Sequence, residues 1–469
     1  QEEAAAVIAE MRAGNTTGVF QLEGGGMRRY LKELKPTEFE DIIAMISLYR
    51  PGPMELIPEY IARKFGRKEV TYLHPKLEPV LKKTYGIMIY QEQLMQAAQV
   101  LAGFTLAQAD VLRKAVGKKI RKLLQEQKEK LIQGCIKNGV SLLTAEKFWS
   151  LIEPFDRYGF NRSHAACYAM IAYRTAYLKA RHPVEFMTAL LNAESGDIDR
   201  TALLVSEAKK MNIEVLPPDI NRSGATFSPE HNNIRFGLTA IKNVGSNIVA
   251  AIIENRASQG PYANLTSFLS RIHHKDLNKK SLESLIRCGA LDSLGVERNR
   301  ALANIDDIVK FNSVVKREQR SQQAGLFGMA SDTLKLKEAP PATTQEKLAW
   351  EKELLGLYIS GHPLDRVKEK MEKREWDIAK IKTRLKEGME CVTAGIVESV
   401  REVTTKKSER MAFVKISDYT DSIEVVFFPR VFDSQKNLLV PDKILAIKGK
   451  FSKRNGDPSV IADAVKEVE

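Results

Sequence analysis

Cysteine is scarce in this chain of 469 residues, and the four present, Cys135, Cys167, Cys288 and Cys391, lie far apart and form no CxxC pair. That excludes a disulfide framework or a zinc knuckle and fits a reducing cytoplasm. No apolar run approaches the roughly 18 residues that span a bilayer. The first residues, QEEAAAVIAEMRAGN, lack the basic start and long apolar core of a signal peptide. The expectation is a soluble cytoplasmic chain with no membrane partner. Equally absent are a GxxxxGK[ST] loop, an HExxH pair and a nucleophile elbow. Carboxylates paired to hold two metal ions are lacking too. The only Asp-x-Asp, Asp197-Ile198-Asp199, precedes an apolar-periodic run, and capping of a helix N-terminus explains it better than metal binding.

What the chain does have is positive charge. A net charge of +13 and a high isoelectric point, near 9.3, point to a polyanionic partner, of which nucleic acid is the commonest. The densest run, RKAVGKKIRK, begins at Arg113; from there to Lys130 eight basic residues stand against two acidic ones. Helical spacing sets Arg113, Lys114, Lys118 and Lys122 near one face, and Gly117 leaves room for a phosphate to approach the backbone. The alternative is a solvated helix face. In YGFNRSHAACYAMIAYRTAYLKARHP, Arg162, Ser163 and His164 precede a helix rich in Tyr and Ala. This suits a surface on which a base or sugar rests on aromatic faces. The alternative makes Ser163 a helix cap and Tyr168, Tyr173 and Tyr177 core residues.

The fold class expected is multidomain and mainly α, closing with a small all-β barrel of OB type. Residues 1–220 read as helices punctuated by Pro and Gly, among them SLLTAEKFWSLIEPF, with Thr144 as its cap and Pro154 as its end. Residues 221–312 hold two helix-hairpin-helix motifs. The first has an apolar helix, the turn Lys242-Asn243-Val244-Gly245, and a second apolar helix. Turn amides at such a helix N-terminus bind a DNA phosphate without reading sequence. Asn243 stands where a glycine is usual, and Asn tolerates left-handed backbone angles. The second carries Lys279 and Lys280. Residues 313–389 read as a polar connector with helices, and residues 390–469 as four or five period-two strands. Within the connector, SQQAGLFGMA sets Leu326 and Phe327 side by side, an adjacent apolar pair that marks a docking point.

Six segments in order, GVFQLEGGGMRRYL, ISLYRPGP, YGIMIYQEQLMQAAQ, ADVLRKAVGKK, YGFNRSHAACYAMIAYRTAYLKARHPVEFM and LPPDIN, resemble the C-family bacterial replicative polymerases, the DNA polymerase III alpha subunits. The resemblance implies fingers up to about residue 220, tandem hairpins that grip duplex DNA, and an OB domain near the single-stranded template. It implies a DNA-directed DNA polymerase whose partners are primer-template DNA, incoming dNTP, a sliding clamp and other replicase subunits. Arg113, Lys114, Lys118 and Lys119 fall on the family's triphosphate-contacting motif; its second arginine is Lys114 here, which keeps the charge and loses the bidentate fork. His164 falls beside the sugar of the incoming nucleotide. Gln323, Leu326 and Phe327 match a clamp-binding pentapeptide, Gln-x-x-apolar-Phe. The family's palm, whose aspartates hold magnesium, precedes these motifs and is not among them, so the expectation is a portion that is inactive alone. The rival reading is a noncatalytic DNA-binding scaffold built of hairpins and an OB module.

Overall fold

The computed structural model describes residues 2–118, 121–153, 155, 159–321, 334–405, 408–454 and 457–468. They form two compact units, residues 1–215 with 227–234, and residues 216–226 with 235–469.

The first unit is helical and has two apolar cores. In one, the nearly all-buried helix Phe39–Leu48 packs on the helix Arg162–Arg181. The latter turns Ala165, Ala169, Ala172 and Ala176 inward. Their spacing of four, three and four makes one stripe of small side chains, which lets neighbouring backbones approach closely. Tyr168, Tyr173 and Tyr177 flank the stripe half-buried against this core, so the packing reading of the tyrosines holds. The second core joins the helices Gln91–Ala102, Leu106–Lys118, Arg121–Lys137 and Leu142–Ile152. The cap of the last is Ser141, not Thr144: Ser141 has the extended backbone of an N-cap, and its side chain accepts from the Thr144 amide at 3.2 Å. Pro154 lies outside the described residues. The short strands β1 (Val215–Leu216), β2 (Ser228–Glu230) and β3 (Asn233–Arg235) follow the helices.

In the second unit the hairpin elements are shorter than the sequence reading. The first motif opens on a single 3-10 turn, Leu238–Ala240, before the helix Ser246–Gln259. The second runs from the helix Lys279–Arg287 to another 3-10 turn, Asp292–Leu294. Phe236, Leu238, Ile241 and Val244 anchor this entry by burial, and helical hydrogen bonding there is confined to the one 3-10 turn. Beyond them, the helices Ile305–Ser321, Thr344–Leu355 and Ile378–Arg384 occupy much of what reads as a connector.

The chain ends in a closed barrel of strands β4 (Glu390–Thr404), β5 (Arg410–Ser417), β6 (Ser422–Phe427), β7 (Ile444–Arg454) and β8 (Asp457–Glu467), in the order β4-β5-β6-β8-β7. All pairings are antiparallel except β6 with β8. Closure leaves no free sheet edge. The inward alternation of Val414, Ile416, Val425, Phe427, Leu445 and Ile447 fills the interior. Cys135, Cys288 and Cys391 are buried free thiols, and burial pushes Cys288 up to about 12 and Cys391 to about 11, which leaves both unreactive.

Candidate nucleic-acid interface

The helix Gln91–Ala102 organises the first unit's candidate site through its N-terminus. Gln93 caps this helix by accepting from the Ile89 and Tyr90 amides at 2.9 and 3.0 Å. Gln91 and Glu92 are left pointing elsewhere. Gln91 accepts from Arg113 Nη1 at 3.3 Å, donates to the Gly159 carbonyl, and its amide donates to Phe160 O at 2.9 Å. The Glu92 carboxylate accepts from the Arg162 amide at 3.0 Å. The two basic motifs, separated in sequence by some fifty residues, therefore meet on one short segment that the sequence reading left without a role.

The cations there are paired with acids. Arg113 Nε and Nη2 donate to Asp110 at 2.9 and 2.7 Å, and Lys114 Nζ lies 2.7 Å from the same carboxylate. Lys114, then Arg113, hold the Asp110 carboxyl below its ordinary value. Arg162 Nη2 donates to Glu40 at 2.6 Å, which holds the guanidinium above its ordinary value. Lys83 stands 3.8 Å from Glu40. Lys118 ends its helix with a side chain outside the described residues, and Lys119 is outside them altogether. A side chain at Gly117 would meet nothing within 4 Å, so this backbone is open.

Asn161, not Ser163, caps the helix Arg162–Arg181, its side chain accepting from the His164 amide at 2.7 Å. Ser163 is exposed in the first turn. His164 is exposed and tilted between Phe160 and Tyr168, with ring centroids 5.6 and 4.3 Å away. Phe20 continues this series beyond Tyr168 at 5.2 Å. His164 and Tyr168 stand four residues apart on one helix face, Phe160 and Phe20 extend the row from outside that helix, and it offers a stacking surface.

In the second unit Asn243 has φ +67°, the left-handed conformation expected of it, and its Nδ2 donates to Ser284 Oγ at 3.2 Å, tying the two hairpins together. The Lys242 amide donates to Leu354 O at 3.0 Å; the Lys242 side chain is exposed and Val244 is buried. Gly245 caps the helix Ser246–Gln259 with no side-chain bond, so the first-turn amides stay available to a phosphate. The second hairpin differs. Asn278 and Ser281 close the start of its helix with a reciprocal capping box, and Lys279 Nζ donates to Asp306 at 2.6 Å. Exposed Lys280 is left as its basic contribution. On the barrel, a groove of about 420 Å³ is lined by Lys382, Arg401, Phe413 and Lys415, with Arg401 4.9 Å above the Phe413 ring. This lies on the strands by which OB folds bind single strands.

Asp197 caps the helix Ile198–Lys210, accepting from the Arg200 amide at 3.0 Å. Among the described residues no group of three or more His, Cys, Asp or Glu could hold a metal ion, so they do not fit the magnesium implied for the complete polymerase. No helix among them is long and apolar enough to cross a membrane. Gln323, Leu326 and Phe327 lie outside the described residues.

Three families match in succession. The bacterial DNA polymerase III alpha subunit finger domain covers residues 1–139, a helix-hairpin-helix motif residues 212–301, and an OB-fold nucleic acid binding domain residues 392–468. The DNA polymerase III subunit alpha of Halalkalibacterium halodurans is 41% identical over 465 residues, 98% of this chain and 41% of that protein. Its Thermus aquaticus counterpart is 41% identical over 97% of this chain and 38% of its own length. This chain belongs to the DNA polymerase III alpha subunit family. The same holds against Borreliella burgdorferi, 38% identical over 97% of the chain and 40% of the relative. The chain spans about two fifths of the length of these curated relatives. Its matched region runs through finger, hairpin and OB-fold models, which supports part of a polymerase over the scaffold reading.

Proposed function

We propose that this chain orients the incoming deoxynucleoside triphosphate and holds primer-template DNA for a bacterial DNA-directed DNA polymerase, in the cytoplasm. The observation that carries this reading is the convergence of Arg113 and the first turn at Arg162 on Gln91 and Glu92. Two guanidinium groups set around one segment match the several phosphates of a triphosphate. The open first turn at Gly245 grips duplex phosphates without reading sequence, and the Arg401 and Phe413 groove takes the single-stranded template. On this reading the magnesium of the complete polymerase would be held by the aspartates of its palm.

The test is primer extension with magnesium and all four deoxynucleotides, beside a binding titration on the same primer-template at several salt concentrations. Log affinity is expected to fall linearly with log salt, with a slope of about 0.9 per neutralised phosphate, and no extension is expected from the chain alone. Binding that ignores salt, or its absence, would overturn the reading. Extension would place catalytic carboxylates within the chain, Asp197 and Asp199 being the first to replace.

The same polymerase joins a sliding clamp through Gln323, Leu326 and Phe327, and assembles with other replicase subunits. Burying Leu and Phe gains roughly 1.5 to 3 kcal/mol each, while association costs at least about 4 kcal/mol. The peptide therefore binds weakly by itself and gains from tethering when both proteins occupy one duplex. Leu326→Ala with Phe327→Ala is expected to abolish clamp capture in a pull-down and to leave primer-template binding intact. Loss of both activities would assign the pair to folding.

A further inference from the structure

The cations around Gln91 differ in one respect. Arg113 and Lys114 are held by Asp110, and Arg162 by Glu40. Arg50 has no acid. Its guanidinium carbon stands 4.1 Å from the centroid of the Phe160 ring, and its Nε is buried with no hydrogen-bond partner. Burial without a counter-charge also pulls its pKa down, although an arginine stays charged at any working pH.

The position is built, not incidental. Arg50 follows the helix Phe39–Leu48 and opens the bend Arg50-Pro51-Gly52-Pro53. Gly52 has φ +101°, a backbone that other residues rarely adopt, and the proline on either side has a fixed φ. The Arg50 amide donates to Leu48 O at 2.8 Å, and the Arg50 carbonyl accepts from the Met54 amide at 3.1 Å. The ring beneath is equally fixed. Phe160 forms a parallel bridge with Tyr90, its amide donating to Ile89 O and its carbonyl accepting from the Gln91 amide. Arg162 in turn stands over the Tyr90 ring at 5.9 Å. Arg50 and Arg162 thus rest on the rings of two directly paired residues. One of them is neutralised by Glu40 and the other is not.

A rigidly seated, uncompensated cation of this kind lowers the energy of whatever anion reaches it, because no internal ion pair has to break first. We propose that Arg50 is a direct phosphate ligand of the fingers, donating to an oxygen of a nucleoside triphosphate or of the DNA backbone beside Arg162. This rests on the function proposed above. The Phe160 ring lies beneath the guanidinium of the half-buried Arg50, and a guanidinium supplies a fork that a lysine lacks.

The experiment measures binding of inorganic tripolyphosphate and of primer-template DNA to the wild-type chain, Arg50→Ala and Arg50→Gln, with a melting temperature for each. A charged hydrogen bond to phosphate predicts a loss of about 10-fold or more in one arm, with the melting temperature kept. Loss for tripolyphosphate alone assigns the oxygen to the nucleotide; loss for DNA assigns it to a strand. Should Arg50→Ala unfold, Arg50→Gln, which keeps most of the stem over Phe160, decides. Unchanged affinity in both arms overturns the inference while leaving the proposed function standing. A wild-type chain that binds neither probe overturns the proposed function itself.

Discussion

Replacing Arg298 with methionine is expected to cost the second unit about 3–5 kcal/mol, the largest stability effect of any single substitution raised here. Arg298 is 6% exposed. It donates to Asp292 through Nε and Nη2 at 3.1 and 2.7 Å and to the Arg287 carbonyl at 3.0 Å, and its Nη1 lies 3.6 Å from Glu351 Oε1. Burial works to lower this guanidinium's pKa, but Asp292 and then Glu351 outweigh it and hold the group charged. Glu351 is 1% exposed, and its other oxygen accepts from the Ile359 and Ser360 amides, both at 2.9 Å. With methionine at 298 the Glu351 carboxylate stays inside the protein, served by two amides and no cation. At roughly 2–4 °C per kcal/mol for a unit of this size, the melting transition of the second unit should fall by about 10 °C. Arg298→Met with Glu351→Gln should recover part of that loss, because no charge is then stranded. A fall of only a degree or two for Arg298→Met would show that water reaches Glu351 and that the pair stabilises little.

The second large effect is on binding. Arg113→Gln with Arg162→Gln is expected to weaken triphosphate binding by about 100-fold or more, since each charged hydrogen bond to a phosphate contributes about 1.5–3 kcal/mol. Stability should hardly change. The side chains of Arg113 and Asp110 are 31% and 34% exposed and those of Arg162 and Glu40 39% and 26%, and partly solvated pairs contribute little. Calorimetric titration with a deoxynucleoside triphosphate beside a thermal melt separates the two. Because Gln91 bonds both to Arg113 and to the segment leading into Arg162, the two substitutions should not add independently. Asp110→Asn supplies the opposite sign. Releasing Arg113 and Lys114 from their acid should tighten triphosphate binding, and weaker binding in that variant would mean that Asp110 orients the cations instead of competing for them.

These effects show unequally in the sequence. The run at Arg113 and the NRSH segment are visible as charge and order of residues, because basic side chains cluster where anions bind. Their meeting is not, since it depends on Gln91 and Glu92, ordinary polar residues at a helix start whose partners lie far along the chain. Glu40 escapes notice for the same reason, its partner Arg162 lying far along the chain. The first hairpin is read correctly at Asn243, where a backbone angle constrains residue choice, and too generously at Leu238–Ala240, where local apolarity reads as a helix and packing leaves a single 3-10 turn. Thr144 was the wrong cap because Ser141 and Thr144 are chemically alike, and only backbone geometry tells which of them precedes the helix.

By itself the sequence determined the basic character of the chain, the helical first part, the capping role of Asp197, the small all-β end and the family. Those follow from periodicity, local hydrogen bonding and the order of motifs, all carried by near neighbours in the chain. Tertiary structure alone decided that Glu40 neutralises Arg162 and that Arg50 has no acidic partner among the described residues, whereas Asp110 meets Arg113 within one turn of a helix. It also decided that one hairpin presents open amides while the other caps itself. Charge compensation and burial are set by distances across the fold, and a linear sequence records composition without those distances.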